Sequence, residues 1–410
     1  MTQETEKKIK NKNIIVCADG TGNKGGTTPD SNVYKIYKAI NKRFKGETSD
    51  GFACDEQVVF YDNGVGTEKN NYLRALGGGF GFGFEDNVRD LYKYLARNYN
   101  PGDRIYFFGF SRGASTVRAC NGFIRKCGLA KGKGKQNHQL DELVTKAFSA
   151  YQLRKKQPDV AEAVRTSEQF HAVVPIHFMG VWDTVVALGF PTGTDVTGTA
   201  SKVFNKFSEW AGNRLDRKWW QHKFYFYKLT GNVVNAYQAL AIDDERTAFW
   251  PFVWNEKLPQ VELDLLKKED GSPIERTVEQ VWFAGMHSNV GGGYARSGMA
   301  SVPLYWMMKR AAKCGLQFED GAIEDAQHDS HVHGNMYDSR NGVAMMYRYH
   351  PREIEKLCKP EKDGKVIKKL KGEIKIHRSV IERINHRTAN YAPGQLPGCY
   401  SAFKIDPLEG

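Results

Sequence analysis

Short apolar runs alternate with helical stripes along this chain. Four runs read as buried strands, 13–20 (NIIVCADG), 57–64 (QVVFYDNG), 104–110 (RIYFFGF) and 176–183 (IHFMGVWD), and 278–287 (VEQVWFAGMH) fits the same template. Their near-continuous hydrophobicity predicts strands covered on both faces, as in a parallel sheet. Helical patterns lie between them. The stretch 31–44 opens on Ser-Asn, 85–99 puts Val88, Leu91, Tyr92 and Leu95 on one face, 114–128 follows directly on the third strand, and 301–315 runs to a glycine stop. This alternation predicts an α/β fold, a doubly wound, mostly parallel sheet with helices on both faces.

Two stretches interrupt the alternation. Residues 187–235 cluster aromatic and basic side chains, with Trp210, Trp219, Trp220 and Phe224 beside Arg214, Arg217, Lys218 and Lys223. Two compatible readings fit: a cap with its own small core, or a lid whose rings sit at the headgroup level of a bilayer while its basic groups meet anionic lipid. Residues 352–376 are lysine-rich around a Lys-Asp-Gly-Lys turn and read as a surface insertion. With no internal repeat, 13–397 reads as one catalytic domain carrying both insertions.

Composition narrows the function classes. The 410 residues, 40% hydrophobic, suffice for a large core, and a net charge of +12 suits acidic partners. The expectation is an enzyme with a basic surface, touching anionic membranes peripherally, rather than a nucleic-acid binder. Seven cysteines without a C-x-x-C pair argue against a disulfide framework and for a reducing compartment. The charged start, MTQETEKKIKNKN, lacks a signal-peptide core, and no apolar run approaches about 18 residues, so a cytoplasmic protein without a membrane span is expected.

The chemistry centres on Gly109-Phe110-Ser111-Arg112-Gly113, a G-x-S-x-G with a strand running in and a helix running out. Such a turn holds its serine above the sheet at a helix N-terminus, and the small flanking residues Gly109 and Gly113 avoid clashes. A serine nucleophile needs a base and an acid to orient that base. Asp183 and His287 stand at the tips of the fourth and fifth runs, in the chain order this architecture requires. Asp243 and Asp244 are alternative acids. The Arg112 N–H is one expected oxyanion donor; Gly20 and Thr21, after the first strand, are candidates for the second, with Asp19 bracing their loop. The histidines His328, His331 and His333 read as a solvated loop. The glycine-rich 77–86 lacks the register of a dinucleotide fingerprint, and 20–27 lacks the Gly-Lys-Ser/Thr ending of a P-loop. No metal and no organic cofactor is expected.

These pieces together resemble a known family. CADGTGN with NVYKIYKAI, VVFYDNGVGT, GFSRGAS, GVWDTV, NAYQALAIDDER, FAGMHSNVGGGY, IHRSVIERI and YAPGQLP are similar to the α/β-hydrolase-like family typified by the catalytic domain of bacterial type VI secretion phospholipase effectors. The resemblance implies Ser111 as nucleophile, Asp183 as acid and His287 as base, and a phospholipid or other acyl ester as substrate. It also implies delivery without a signal peptide, although the further membrane-anchoring module of the secreted effectors is not expected here. The alternatives are a soluble carboxylesterase or thioesterase for small acyl groups, and a non-catalytic interaction module that keeps the fold.

Overall fold

The computed structural model describes residues 11–20, 22–27, 29–63, 83–185, 227–246, 249–268, 270–340, 348–358, 361–362, 365–366, 374–396 and 401–403. Eight strands make one sheet, β1 (Lys12–Ala18), β2 (Glu56–Asp62), β3 (Arg104–Phe110), β4 (Ile176–Trp182), β5 (Val233–Ala241), β6 (Thr277–Phe283), β7 (Lys375–His377) and β8 (Ser401–Phe403). Their spatial order is 8-7-6-5-4-3-1-2 and every neighbouring pair is parallel.

The order reverses between β1 and β3. From β1 the chain steps outward to β2, then crosses back to β3 and builds the rest of the sheet. Loops leaving a sheet on either side of such a switch point open a crevice at its carboxyl edge. The register levels the strand ends there: Ala18 lies opposite Asp62 and Gly109, Gly109 opposite Val181, Trp182 opposite Ala239, and Ala241 opposite Phe283. The residues that follow these strands therefore meet along one line.

Helices cover both faces, which is why the strands read as continuous apolar runs. The helices used below are α1 (Asn32–Ala39), α2 (Phe84–Asn98), α3 (Arg112–Cys127), α4 (Asn137–Leu153), α5 (Pro158–Thr166), α6 (His287–Gly291), α7 (Gly298–Lys313) and α8 (Arg378–Asn385). Ile14 and Val16 of β1 pack with Val88, Leu91 and Leu95 of α2 and with Val117 of α3. Their neighbours Ile15 and Cys17 turn to the other face, against Val33 and Ile36 of α1 and Met307 of α7. Each such aliphatic side chain contributes about 1.5–3 kcal/mol by leaving water. Among the described residues no helix is long and apolar enough to cross a membrane.

The structure corrects several expectations. The apolar patch before Asp243, which residue types alone leave open between helix and strand, is the central strand β5, and it takes residues 233–235 from the expected aromatic insertion. The fifth run leaves the sheet at Phe283, and His287 opens α6 instead of ending a strand. The segment 352–376 is not a surface insertion at its ends: Arg352, Ile354, Cys358, Ile374 and Ile376 are buried, because Ile354 and Cys358 share one helical face and Ile376 enters the sheet beside Trp282. Between them Glu361–Lys362 and Lys365–Val366 pair across the expected turn. Residues 186–226, with Trp210, Trp219, Trp220 and Phe224, lie outside the described residues, as do Thr21 and 64–82.

Candidate active site

β3 delivers Ser111 to the switch point. The serine adopts φ 56° and ψ −120°, a backbone conformation that costs a non-glycine residue roughly 1–3 kcal/mol. Close packing holds it there. A Cβ on Gly113 would collide with the carbonyl oxygen of Ala18, and one on Gly109 would lie 2.6 Å from the Cα of Ala114. The Ser111 N–H donates to the Trp182 carbonyl at 3.1 Å, tying the turn to the end of β4. Arg112 supplies the first N–H of α3, at the positive end of the helix dipole.

Asp183 follows β4 and is fully buried, also with positive φ, 40°. Its Oδ1 accepts the Ala241 N–H at 3.0 Å, and its own N–H donates to the Ala239 carbonyl at 2.8 Å. His287, at the start of α6, bridges the two strand ends. Its Nδ1 lies 2.5 Å from Asp183 Oδ2 and its Nε2 lies 2.7 Å from Ser111 Oγ. The imidazole is wedged between the rings of Phe110 and Phe249, at centroid distances of 4.7 and 5.1 Å. Three residues separated by up to 176 positions thus form one continuous hydrogen-bonded line.

One residue of this cluster was not anticipated from the sequence. Arg352 sends Nη1 to Asp183 Oδ1 and Nη2 to Asp183 Oδ2, each at 2.7 Å, and the same nitrogens reach the carbonyls of Ala241 and Phe249. Burial alone would push the Asp183 carboxyl up. The Arg352 charge, with the His287 and Arg352 hydrogen bonds, overrides it and holds Asp183 well below the usual carboxylate range. The signal available in the sequence was the helical face formed by Ile354, Leu357 and Cys358, which marks this charged stretch as partly buried.

The alternative acids lie beside the imidazole without touching it. Asp244 Oδ2 accepts the backbone N–H of His287 at 3.2 Å, and its carboxylate is held by Arg246. Asp243 Oδ2 accepts from the Gly285 N–H at 2.6 Å and the Tyr391 hydroxyl at 2.8 Å, while burial pushes its carboxyl up to about 6. Both aspartates therefore brace the turn that carries His287.

The loop after β1 reaches the serine, and a Cβ on Gly20 would lie 3.3 Å from that of Ser111. The Gly20 N–H, however, donates to Asp19 Oδ1 at 2.6 Å. This corrects the expectation that Gly20 is an oxyanion donor, since its amide is committed to the neighbouring carboxylate. Asp19 also accepts from Asn23, Ser31 and Tyr61, so it braces the loop. A cavity of about 640 Å³ is lined among others by Asp243, Glu245, Tyr337, Tyr349 and Tyr391, and none of Ser111, Asp183 and His287 lines it. Among the described residues no group of three or more His, Cys, Asp or Glu side chains is arranged to hold a metal ion.

The family model for the catalytic domain of type VI secretion, Tle1-like phospholipase effectors matches residues 12–310. The chain belongs to this family. It is 24% identical to the uncharacterized protein YEL023C of Saccharomyces cerevisiae over 425 aligned positions, covering 77% of this chain and 59% of the yeast protein. A crystal structure of an uncharacterized protein from Pseudomonas aeruginosa is similar at 15% identity and a TM-score of 0.39, covering 79% of this chain and 49% of that one. The Tle1 effector bound to the VgrG spike of the type 6 secretion system is similar at 15% identity and a TM-score of 0.34, covering 70% of this chain and 51% of that one. The chain thus spans less than two thirds of each of these proteins. Arg352 lies beyond the matched residues.

Proposed function

We propose that this chain is a serine hydrolase of the α/β-hydrolase type that cleaves the acyl ester bonds of glycerophospholipids. The observation that carries the reading is the unbroken line Ser111 Oγ–His287 Nε2 and Nδ1–Asp183 Oδ2, at 2.7 and 2.5 Å, in a member of a phospholipase-effector family. His287 takes the Ser111 proton as Oγ attacks the ester carbonyl. Asp183 orients the ring and stabilises the imidazolium. The Arg112 N–H and the α3 dipole face the developing oxyanion. The tetrahedral intermediate expels the alcohol, protonated by His287, and leaves an acyl-serine. Water, activated by the same histidine, then releases the fatty acid and restores the serine.

The described residues on either side of the aromatic stretch are both held to α3 and its turn: the Val185 N–H donates to the Ser111 carbonyl at 3.4 Å, and Arg118 of α3 donates to the Tyr227 carbonyl at 2.8 and 3.0 Å. A fluorophosphonate probe tests the proposal: mass spectrometry of the labelled, folded protein places the adduct on Ser111. An unlabelled protein, or an adduct elsewhere, overturns it.

A further inference from the structure

The guanidinium of Arg352 does more than neutralise a buried charge. It makes four contacts, two to the carboxylate of Asp183 and two to the Ala241 and Phe249 carbonyls, and neither its side chain nor that of Asp183 is exposed. A guanidinium is planar and its N–H groups form a rigid fork. Ala241 ends β5, so the fork is referenced to the sheet and not to a loop alone. Pinning both oxygens of Asp183 fixes the plane of the carboxylate, and with it the direction from which Oδ2 meets His287 Nδ1. A tilt of that plane would swing Nε2 away from Ser111.

We propose that Arg352 is a positioning residue of the hydrolytic site, acting through Asp183 to aim His287 at Ser111. This rests on the hydrolase reading above and extends the functional unit past residue 310, where the family match ends. Arg352 also keeps Asp183 an anion, so the proton taken from Ser111 stays on the imidazole, ready for the leaving alcohol. The charged groups around the pair are few. Asp183 faces Arg352 and His287, while Arg352 also feels Asp244 and Asp243. Asp244 is tied to Arg246, and Asp243 feels Arg383 as well as Arg352.

The test compares wild type, Arg352→Met, Arg352→Lys, Asp183→Asn and the double variant Asp183→Asn/Arg352→Met in the full chain. It reads kcat/KM for a p-nitrophenyl ester and the fluorophosphonate labelling rate across pH. Arg352→Met is expected to lower kcat/KM at pH 7 by about 100-fold. Its acid limb is expected to move upward by about one pH unit or more, because the buried carboxylate loses its stabilising charge. Arg352→Lys restores the limb and only part of the rate. In the Asp183→Asn background, Arg352→Met costs nothing further. An Arg352→Met limb at the wild-type position overturns the proposal, as does a full additional loss in the Asp183→Asn background. If Arg352→Met alone does not fold, the double variant, which removes both buried charges together, still supplies the second comparison. Wild type labelled on Ser111 with an unmoved Arg352→Met limb sinks this proposal alone. Folded wild type that is never labelled sinks the hydrolase reading and this proposal with it.

Discussion

Ser111 and Asp183 leave adjacent parallel strands at the same height, and both do so with positive φ, 56° and 40°. The only other non-glycine residues with positive φ among the described residues cluster at 387–390. The two turns are also tied to each other, the Ser111 N–H to the Trp182 carbonyl and the Val185 N–H to the Ser111 carbonyl. Strain held at the two residues that flank the imidazole is what a site built for geometry at the expense of stability shows.

Replacing Ser111 by glycine should release that strain. The relief of roughly 1–3 kcal/mol outweighs the extra unfolded-state entropy of glycine, about 0.4–1 kcal/mol. Thermal unfolding of Ser111→Gly is expected to occur a few degrees above wild type, with ester hydrolysis lost. Ser111→Ala, which keeps the Cβ, is expected to be inactive without that gain. Equal melting temperatures for the glycine and alanine variants would show that the turn is not strained.

At Gly113, α3 lies close against the end of β1. A methyl group there meets backbone, the carbonyl oxygens of Ala18 and Asp19, and no side chain can yield to relieve it. Gly113→Ala is expected to lose roughly 1–3 kcal/mol or more in urea unfolding. Wild-type stability would mean that the helix does not seat against the strand this tightly.

Asp183 and Asp243 should separate cleanly. Asp183→Asn presents an amide to His287 Nδ1 and is expected to lower kcat/KM by about 10³–10⁴-fold. Asp243→Asn keeps an oxygen for the Gly285 N–H and the Tyr391 hydroxyl, and is expected to stay within a few-fold of wild type. A collapse of activity in Asp243→Asn with Asp183→Asn little changed would reassign the acid.

Much of this arrangement was readable from the chain. The central strands announce themselves because both faces are buried, and strand tips mark where side chains can converge. β5 was ambiguous because VVNAYQALA mixes β-branched residues with alanine and glutamine, which also suit helices. The last two strands at one end of the sheet, β7 and β8, are only three residues long and leave no periodicity to detect. Arg352 was hidden for a different reason. It lies 169 residues from Asp183 among charged neighbours, and although the face of Ile354, Leu357 and Cys358 marks the stretch as partly buried, nothing local names the distant carboxylate that a buried guanidinium there would meet. The commitment of the Gly20 amide to Asp19 is likewise a matter of backbone orientation, which residue types alone do not specify.

Stability should fall on the acid side of neutrality. Burial holds His377 down to about 3 and His177 to about 4, from an ordinary 6.5. As pH drops below 6.5 the unfolded chain takes up protons that the native one refuses, so stability declines until the pH passes through the folded values. His377 caps α8, accepting the Ser379 N–H, a role asparagine can fill. The melting temperature of His377→Asn should therefore depend less steeply on pH between about 6.5 and 4 than that of wild type. An unchanged slope would show that His377 does not contribute.

The most direct measurement is mass spectrometry of phospholipid vesicles incubated with the wild-type chain and with Ser111→Ala. Lysophospholipid and free fatty acid should accumulate in equal amounts with wild type and remain at background with the variant. Intact lipid in the presence of folded wild-type protein, or the same products formed by Ser111→Ala, would contradict the assignment of this site as a phospholipase centre.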